Sequence, residues 1–197
     1  MATKSNAPLV LFGLFGVGTV VLLAAAGGGS PVQGAQRVGG LVQGQIGRFF
    51  SWAELTVSGA AKRLGLDNTP TPEAQQAMQH LVVNVLDPLR TALGRPVRIT
   101  SGYRAPAVNQ AVRGSPTSQH MKGEAVDMKA DGLAAEALAT AVVRLGLPFD
   151  QLIWYAPERG GHVHISFTVT RPNRRQTLHA PAAGGYTPWA PPSARVA

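Results

Sequence analysis

Between Met78 and Leu93 the apolar residues Met78, Leu81, Val82, Val85, Leu89 and Leu93 recur at helical spacing, and beyond Gly94 this period gives way to short segments that read as strands. The switch constrains the chain more than any other feature, because a helix with one apolar face needs a core and the strands that follow supply one. Residues 97–100, 124–128, 151–155 and 162–167 carry the strand pattern, and residues 133–145 read as a helix between the second and third of them. Gly146, Pro148 and Gly160-Gly161 mark turns. Upstream, residues 49–66 have helical character up to the break at Asp67-Asn68. Thr71, Pro72 and Glu73 predict a helix start: a threonine can cap, proline suits the first turn, and an acid there complements the helix dipole. Pro88 should kink or interrupt the helix that contains it. A chain of 197 residues has room for one domain and its appendages.

The two ends differ in character. Residues 7–26 (APLVLFGLFGVGTVVLLAAA) hold no charge and match the ~20 residues that span a bilayer, with Lys4 the only charge before them. Ala24-Ala25-Ala26 offers a small-residue cleavage site, so residues 1–26 read as a signal anchor or a signal peptide. Residues 27–48, rich in Gly, Gln and Val without a firm period, read as a tether. Residues 49–170 then form the folded domain and residues 171–197 a basic, Pro-rich tail. The net charge of +8 belongs to the ends: residues 1–48 and 168–197 hold seven basic side chains and no acidic one, against eleven basic and ten acidic in residues 49–167. A basic tail can lean on any polyanion, but the near-neutral centre argues against a specific nucleic-acid partner.

With no cysteine in the chain, any metal must be held by His, Asp or Glu. Three segments gather the interesting polar groups: Ser101-Gly102-Tyr103-Arg104, the run SQHMKGEAVD from Ser118 to Asp127, and His162-Val163-His164. Strand alternation puts His162, His164 and Ser166 on one face and Val163, Ile165 and Phe167 on the other. Asp127 follows His120 by seven residues, with Gly123 between them to turn the chain, so its carboxylate can face His164 from a neighbouring strand. Two imidazoles and one carboxylate without a thiolate make a catalytic zinc set that leaves a fourth position for water.

Residues from about Phe49 to Phe167 resemble the zinc D-Ala-D-Ala carboxypeptidase family, whose fold is shared with the hedgehog signalling domain and the vancomycin-resistance D,D-dipeptidases. The resemblance rests on four pieces in order: ITSGYRAPAVNQAV, the S-x-H-x-x-G-x-A-x-D motif as SQHMKGEAVD, FDQLIWY, and the H-x-H segment as HVHISF. It implies an α+β fold with a small antiparallel sheet flanked by helices, zinc (Zn2+) held by His120, Asp127 and His164, and Arg104 contacting substrate near a carbonyl or carboxylate. Peptidoglycan stem peptides are the substrate it implies, cut as by a carboxypeptidase or endopeptidase.

A proton-transfer partner is still needed. His162 is the first choice, since it shares a strand face with His164 and titrates near neutrality. Relatives carry a Glu directly after the segment matching QLIWY, where this chain has Ala156, which leaves Asp150 and Glu158 as the nearby acids. Similar compact domains occur among bacteriophage lysins and virion components, so the N-terminal segment is expected to engage a membrane facing the periplasm or cell wall, or a virion. The hedgehog relationship also permits a zinc-stabilised binding domain without turnover.

Overall fold

The computed structural model describes residues 44–192, together with the backbone of two short antiparallel strands, β1 (Arg37–Val38) and β2 (Leu41–Val42). The apolar segment at residues 1–26, most of the expected tether and residues 193–197 lie outside the described residues. No helix among the described residues is long and apolar enough to cross a membrane.

Local sequence sets the helix starts. α1 (Trp52–Thr56) opens on a capping box, in which Ser51 accepts from the Glu54 amide while the Glu54 carboxylate accepts from the Ser51 amide. α2 (Gly59–Leu64) is capped by Ser58. α3 (Pro72–Leu81) begins where predicted, with Thr71 Oγ1 accepting from the Ala74 amide at 3.3 Å. It runs into a π-helical turn, Val82–Leu86, and on into α4 (Asp87–Leu93). Pro88 has no N–H for the helical ladder, and the wide turn just before it, closed by the Asp87 amide on the Val82 carbonyl, is the form its interruption takes. α5 (Pro106–Ala111) and α6 (Ala135–Arg144) complete the set.

Six strands form one sheet in the order β3-β4-β6-β5-β7-β8: β3 (Val97–Ser101), β4 (Ala125–Ala130), β5 (Gln151–Tyr155), β6 (Val163–Ser166), β7 (Gln176–Ala180) and β8 (Thr187–Pro188). All pairs are antiparallel except β5 with β7. The fold is thus mixed α and β, with a sheet flanked by helices, as expected. Val126, Met128, Leu152, Val163 and Ile165 turn one face toward α3, α4 and α6 and are buried with Met78, Leu81, Leu89 and Leu138. By alternation Asp127, His164 and Ile153 occupy the other face, and the register aligns them in one row across the sheet with Ser101 at its end.

Two boundaries differ from the sequence reading. Part of the expected tether is packed: Ile46 is buried, and the amides of Arg48 and Phe49 donate to the Asp87 carboxylate at 2.6 and 3.2 Å. The expected tail folds back as β7 and β8. Its strand segment QTLHA lacks a strong apolar alternation because it is held by backbone pairing to β5, which needs no side-chain pattern. Beyond it, Trp189 meets Trp154 edge-on at 6.3 Å and donates through Nε1 to Glu136 on α6. His179 is half-buried and stacks on Trp154 at 3.6 Å.

Candidate active site

His120 comes to the sheet from a 3-10 turn, Gln119–Lys122, whose start is capped by Ser118 and whose end is Gly123 in the left-handed conformation (φ +71°). A Cβ on Gly123 would lie 2.2 Å from the Ala74 carbonyl oxygen, so the turn can sit against α3 only with glycine there. Below it Glu124 is buried, its two oxygens accepting from Gln119 Nε2 and Thr168 Oγ1 at 3.1 and 2.6 Å. The glycine of the Ser-Gly-Tyr-Arg segment has a similar role. A Cβ on Gly102 would lie 2.1 Å from the Leu55 carbonyl oxygen, and this close approach to α1 puts the Gly102 carbonyl within 2.8 Å of His120 Nδ1.

Since a carbonyl only accepts, His120 carries its proton on Nδ1 and presents a bare Nε2 lone pair to the cluster. His120 Nε2 lies 3.2 Å from His164 Nδ1 and 3.3 Å from Asp127 Oδ1, while His164 Nδ1 lies 2.9 Å from the same Asp127 oxygen. Burial pushes the His120 imidazole below its ordinary pKa, an effect its Asp127 contact only partly offsets. For Asp127 burial acts upward, but the neighbouring His120 and His164 imidazoles outweigh it and hold the carboxyl well below the usual range. Neutral imidazole beside ionised carboxylate is the protonation state that metal binding requires.

The donor set fits a zinc ion. Its three ligand atoms lie within 4.8 Å of one another. Donors at the usual 2.0–2.1 Å from a tetrahedral zinc stand about 3.3 Å apart, close to the separations found here. The second Asp127 oxygen accepts from Arg104 Nη2 at 3.3 Å, and Arg104 Nε donates to Ser101 Oγ at 3.2 Å. Arg104 therefore fixes the carboxylate from outside while its guanidinium lines the cavity above the cluster.

That cavity has a volume of about 870 Å³. Its floor includes Gln151, Ile153 and Tyr155 from alternate positions of β5. Tyr155 Oη lies 3.3 Å from Tyr186 Oη, and Arg159 sits over both rings while donating to the Gly185 carbonyl. Burial, with Tyr186 adding to it, pushes the Tyr155 phenol up, so it remains a proton donor at neutral pH.

The other residues expected to take part in catalysis divide. His162 stacks on the cavity-lining Tyr155 with ring centroids 4.1 Å apart but is not itself among the lining residues, and burial lowers its pKa more than Asp127 raises it, so its imidazole is neutral. Asp150 does not fit the acid/base role expected for it. Its side chain is fully buried and both oxygens are taken up by Arg171 and Arg174, at distances from 2.6 to 3.1 Å. Burial would raise its pKa, yet the two guanidiniums hold it far below the usual carboxylate range, which leaves it no proton affinity near neutrality. Glu158 is exposed in the turn Pro157–Arg159 and does not line the cavity. Sequence reading missed Tyr155, Tyr186, Arg171 and Arg174 as cavity residues; alternation along Gln151-Ile153-Tyr155 could have found the first.

The family model described as Peptidase M15 matches residues 48–166, more than half of the chain. No curated protein sequence matches it.

Proposed function

The chain belongs to the Peptidase M15 family, and on that premise we propose that it hydrolyses a peptide bond in peptidoglycan stem peptides, with zinc held by His120, Asp127 and His164. The observation that supports this most is the convergence of those three donors, from three separate segments, at the floor of a cavity large enough for a short peptide.

Zinc bound by this set would supply Lewis-acid polarisation of the scissile carbonyl and an acidified water. The protein's own groups do the rest. Arg104 holds Asp127 in place and offers its remaining N–H groups to a substrate carbonyl or carboxylate. His162, neutral at pH 7, is suited to take a proton from the attacking water and return it to the leaving amine. Tyr155, protonated and lining the cavity, can donate to an oxygen that gains charge.

Residues 7–26, uncharged and long enough for a bilayer, support placing the domain on the wall side of a membrane or in a virion. The deciding experiment is mass spectrometry of peptidoglycan digested by the zinc-loaded protein. New peptide termini identify the bond cut, whereas unchanged muropeptides from a protein carrying its zinc would make it a binding domain.

A further inference from the structure

The cavity carries a charge asymmetry that hydrolysis alone does not require. Among the described residues its wall holds the cations Arg104, Arg113, Lys122, Arg171 and Arg174, and its one carboxylate is Asp127. Arg171 and Arg174 lie beyond the family match, on the loop between β6 and β7. Both dock on Asp150, the residue just before β5.

Two guanidiniums share that single carboxylate, with the buried Glu124 the next acid to act on Arg171, and their side chains remain 44% and 50% exposed. The hydrogen bonds they make engage Arg171 Nη1 and Nη2 and Arg174 Nε and Nη2. Arg171 Nε and Arg174 Nη1 are used by no bond among the described residues. Folding has already ordered both long side chains against Asp150, so a ligand that meets these free donors loses little further side-chain entropy. Each guanidinium thus keeps a charged N–H donor beyond its bonds to Asp150, and charge-assisted donors of this kind suit a carboxylate.

Position along the strand gives the spacing. Ile153 stands opposite His164 in the row that contains the metal-binding cluster, and Gln151 stands two residues along, beside Asp150. Two residues of strand span about 7 Å, the length of about two residues of an extended peptide. Tyr155 lies at the other end of β5, beside Tyr186 and under Arg159.

Resting on the peptidase reading above, we infer that Arg171 and Arg174, set by Asp150, form a carboxylate subsite that selects peptides carrying a free carboxylate about two residues from the bond cleaved. The test uses pairs of stem-type peptides that differ only in a free carboxylate or a carboxamide at that position. Binding to the full-length protein is measured by calorimetry, with and without zinc, beside kcat/KM for hydrolysis.

The free carboxylate should bind about tenfold to hundredfold more tightly than the carboxamide, and added salt should shrink the ratio. Arg174→Gln should bring it to within about twofold, while Arg174→Lys, which keeps the charge on Asp150, should retain part of it. Circular dichroism identifies a variant that does not fold, and Arg174→Lys then decides. Equal affinity of the wild-type protein for both peptides, or an undiminished ratio in Arg174→Gln, would overturn the subsite. Hydrolysis without discrimination would remove the subsite and leave the peptidase. Discrimination in binding without hydrolysis would do the reverse.

Discussion

His120 Nδ1 lies 2.8 Å from the Gly102 carbonyl oxygen, and this one hydrogen bond determines which nitrogen of His120 faces Asp127 and His164. It joins the Ser-Gly-Tyr-Arg segment to the cluster of His120, Asp127 and His164 and depends on a glycine. In Gly102→Ala the new methyl group would lie 2.1 Å from a backbone oxygen of α1, so the segment must shift and take the carbonyl with it. Zinc affinity should fall about tenfold to hundredfold, the usual effect of losing a group that orients a ligand. Competition with a chromophoric chelator measures it, and unchanged affinity would show that the His120 tautomer is set elsewhere.

Removing a ligand should act more severely. His120→Ala and His164→Ala each leave two of three protein donors, and each should lower zinc content below one per chain and abolish cleavage together. Elemental analysis after dialysis, run beside a peptide cleavage assay, checks both. Full occupancy in either variant would place the metal elsewhere.

His162 should behave differently, because it stacks on Tyr155 and makes none of the contacts that join the cluster. His162→Ala is expected to keep its zinc and lose rate by about 10²- to 10⁴-fold. The informative comparison is kcat at equal zinc content. A full rate would transfer the proton to another group, and Asp150 is a poor candidate given how its oxygens are engaged.

The cluster was legible in the sequence because its signals are local. Alternation on one strand puts His164 opposite the core residues Val163 and Ile165, and the H-x-x-G spacing marks a turn that must lie close to another element. The role of Asp150 was not legible, since its partners Arg171 and Arg174 are 21 and 24 residues away in a stretch without periodicity. A charged run with no apolar pattern reads as solvated until something shows that it covers a buried charge. The strand β7 was missed for a related reason: its pairing with β5 is made by backbone groups, which every sequence has.

The C-terminal segment should accordingly matter for stability. If residues 171–197 were a tail, deleting them would cost nothing. In the fold they include β7, β8, Trp189 and both partners of Asp150. Their loss strips β5 of a paired strand, uncovers Trp154 and removes the ion pairs that cover Asp150, in a domain whose total stability is roughly 5–15 kcal/mol. A chain ending at residue 170 should therefore unfold at a far lower denaturant concentration or fail to fold. An unchanged urea midpoint would restore the tail reading.

Asp150 also sets an expectation for acid stability. Its folded pKa is depressed far below the unfolded value of about 3.9, so the unfolded chain binds a proton that the folded chain refuses. The stabilisation is thus fully present above the unfolded pKa and is lost progressively as pH falls below it toward the folded value. Over that window one such group contributes a slope of up to about 1.4 kcal/mol per pH unit. Asp127 and Asp131, also depressed, add their own parts. Asp150→Asn should be less stable at pH 7, because two arginines lose the charge they share, but its stability should fall less steeply between about pH 4 and pH 2. Urea unfolding of both proteins across that range gives the two slopes. Parallel curves would show that Asp150 keeps its proton in the fold, and that Arg171 and Arg174 are held by something other than its charge.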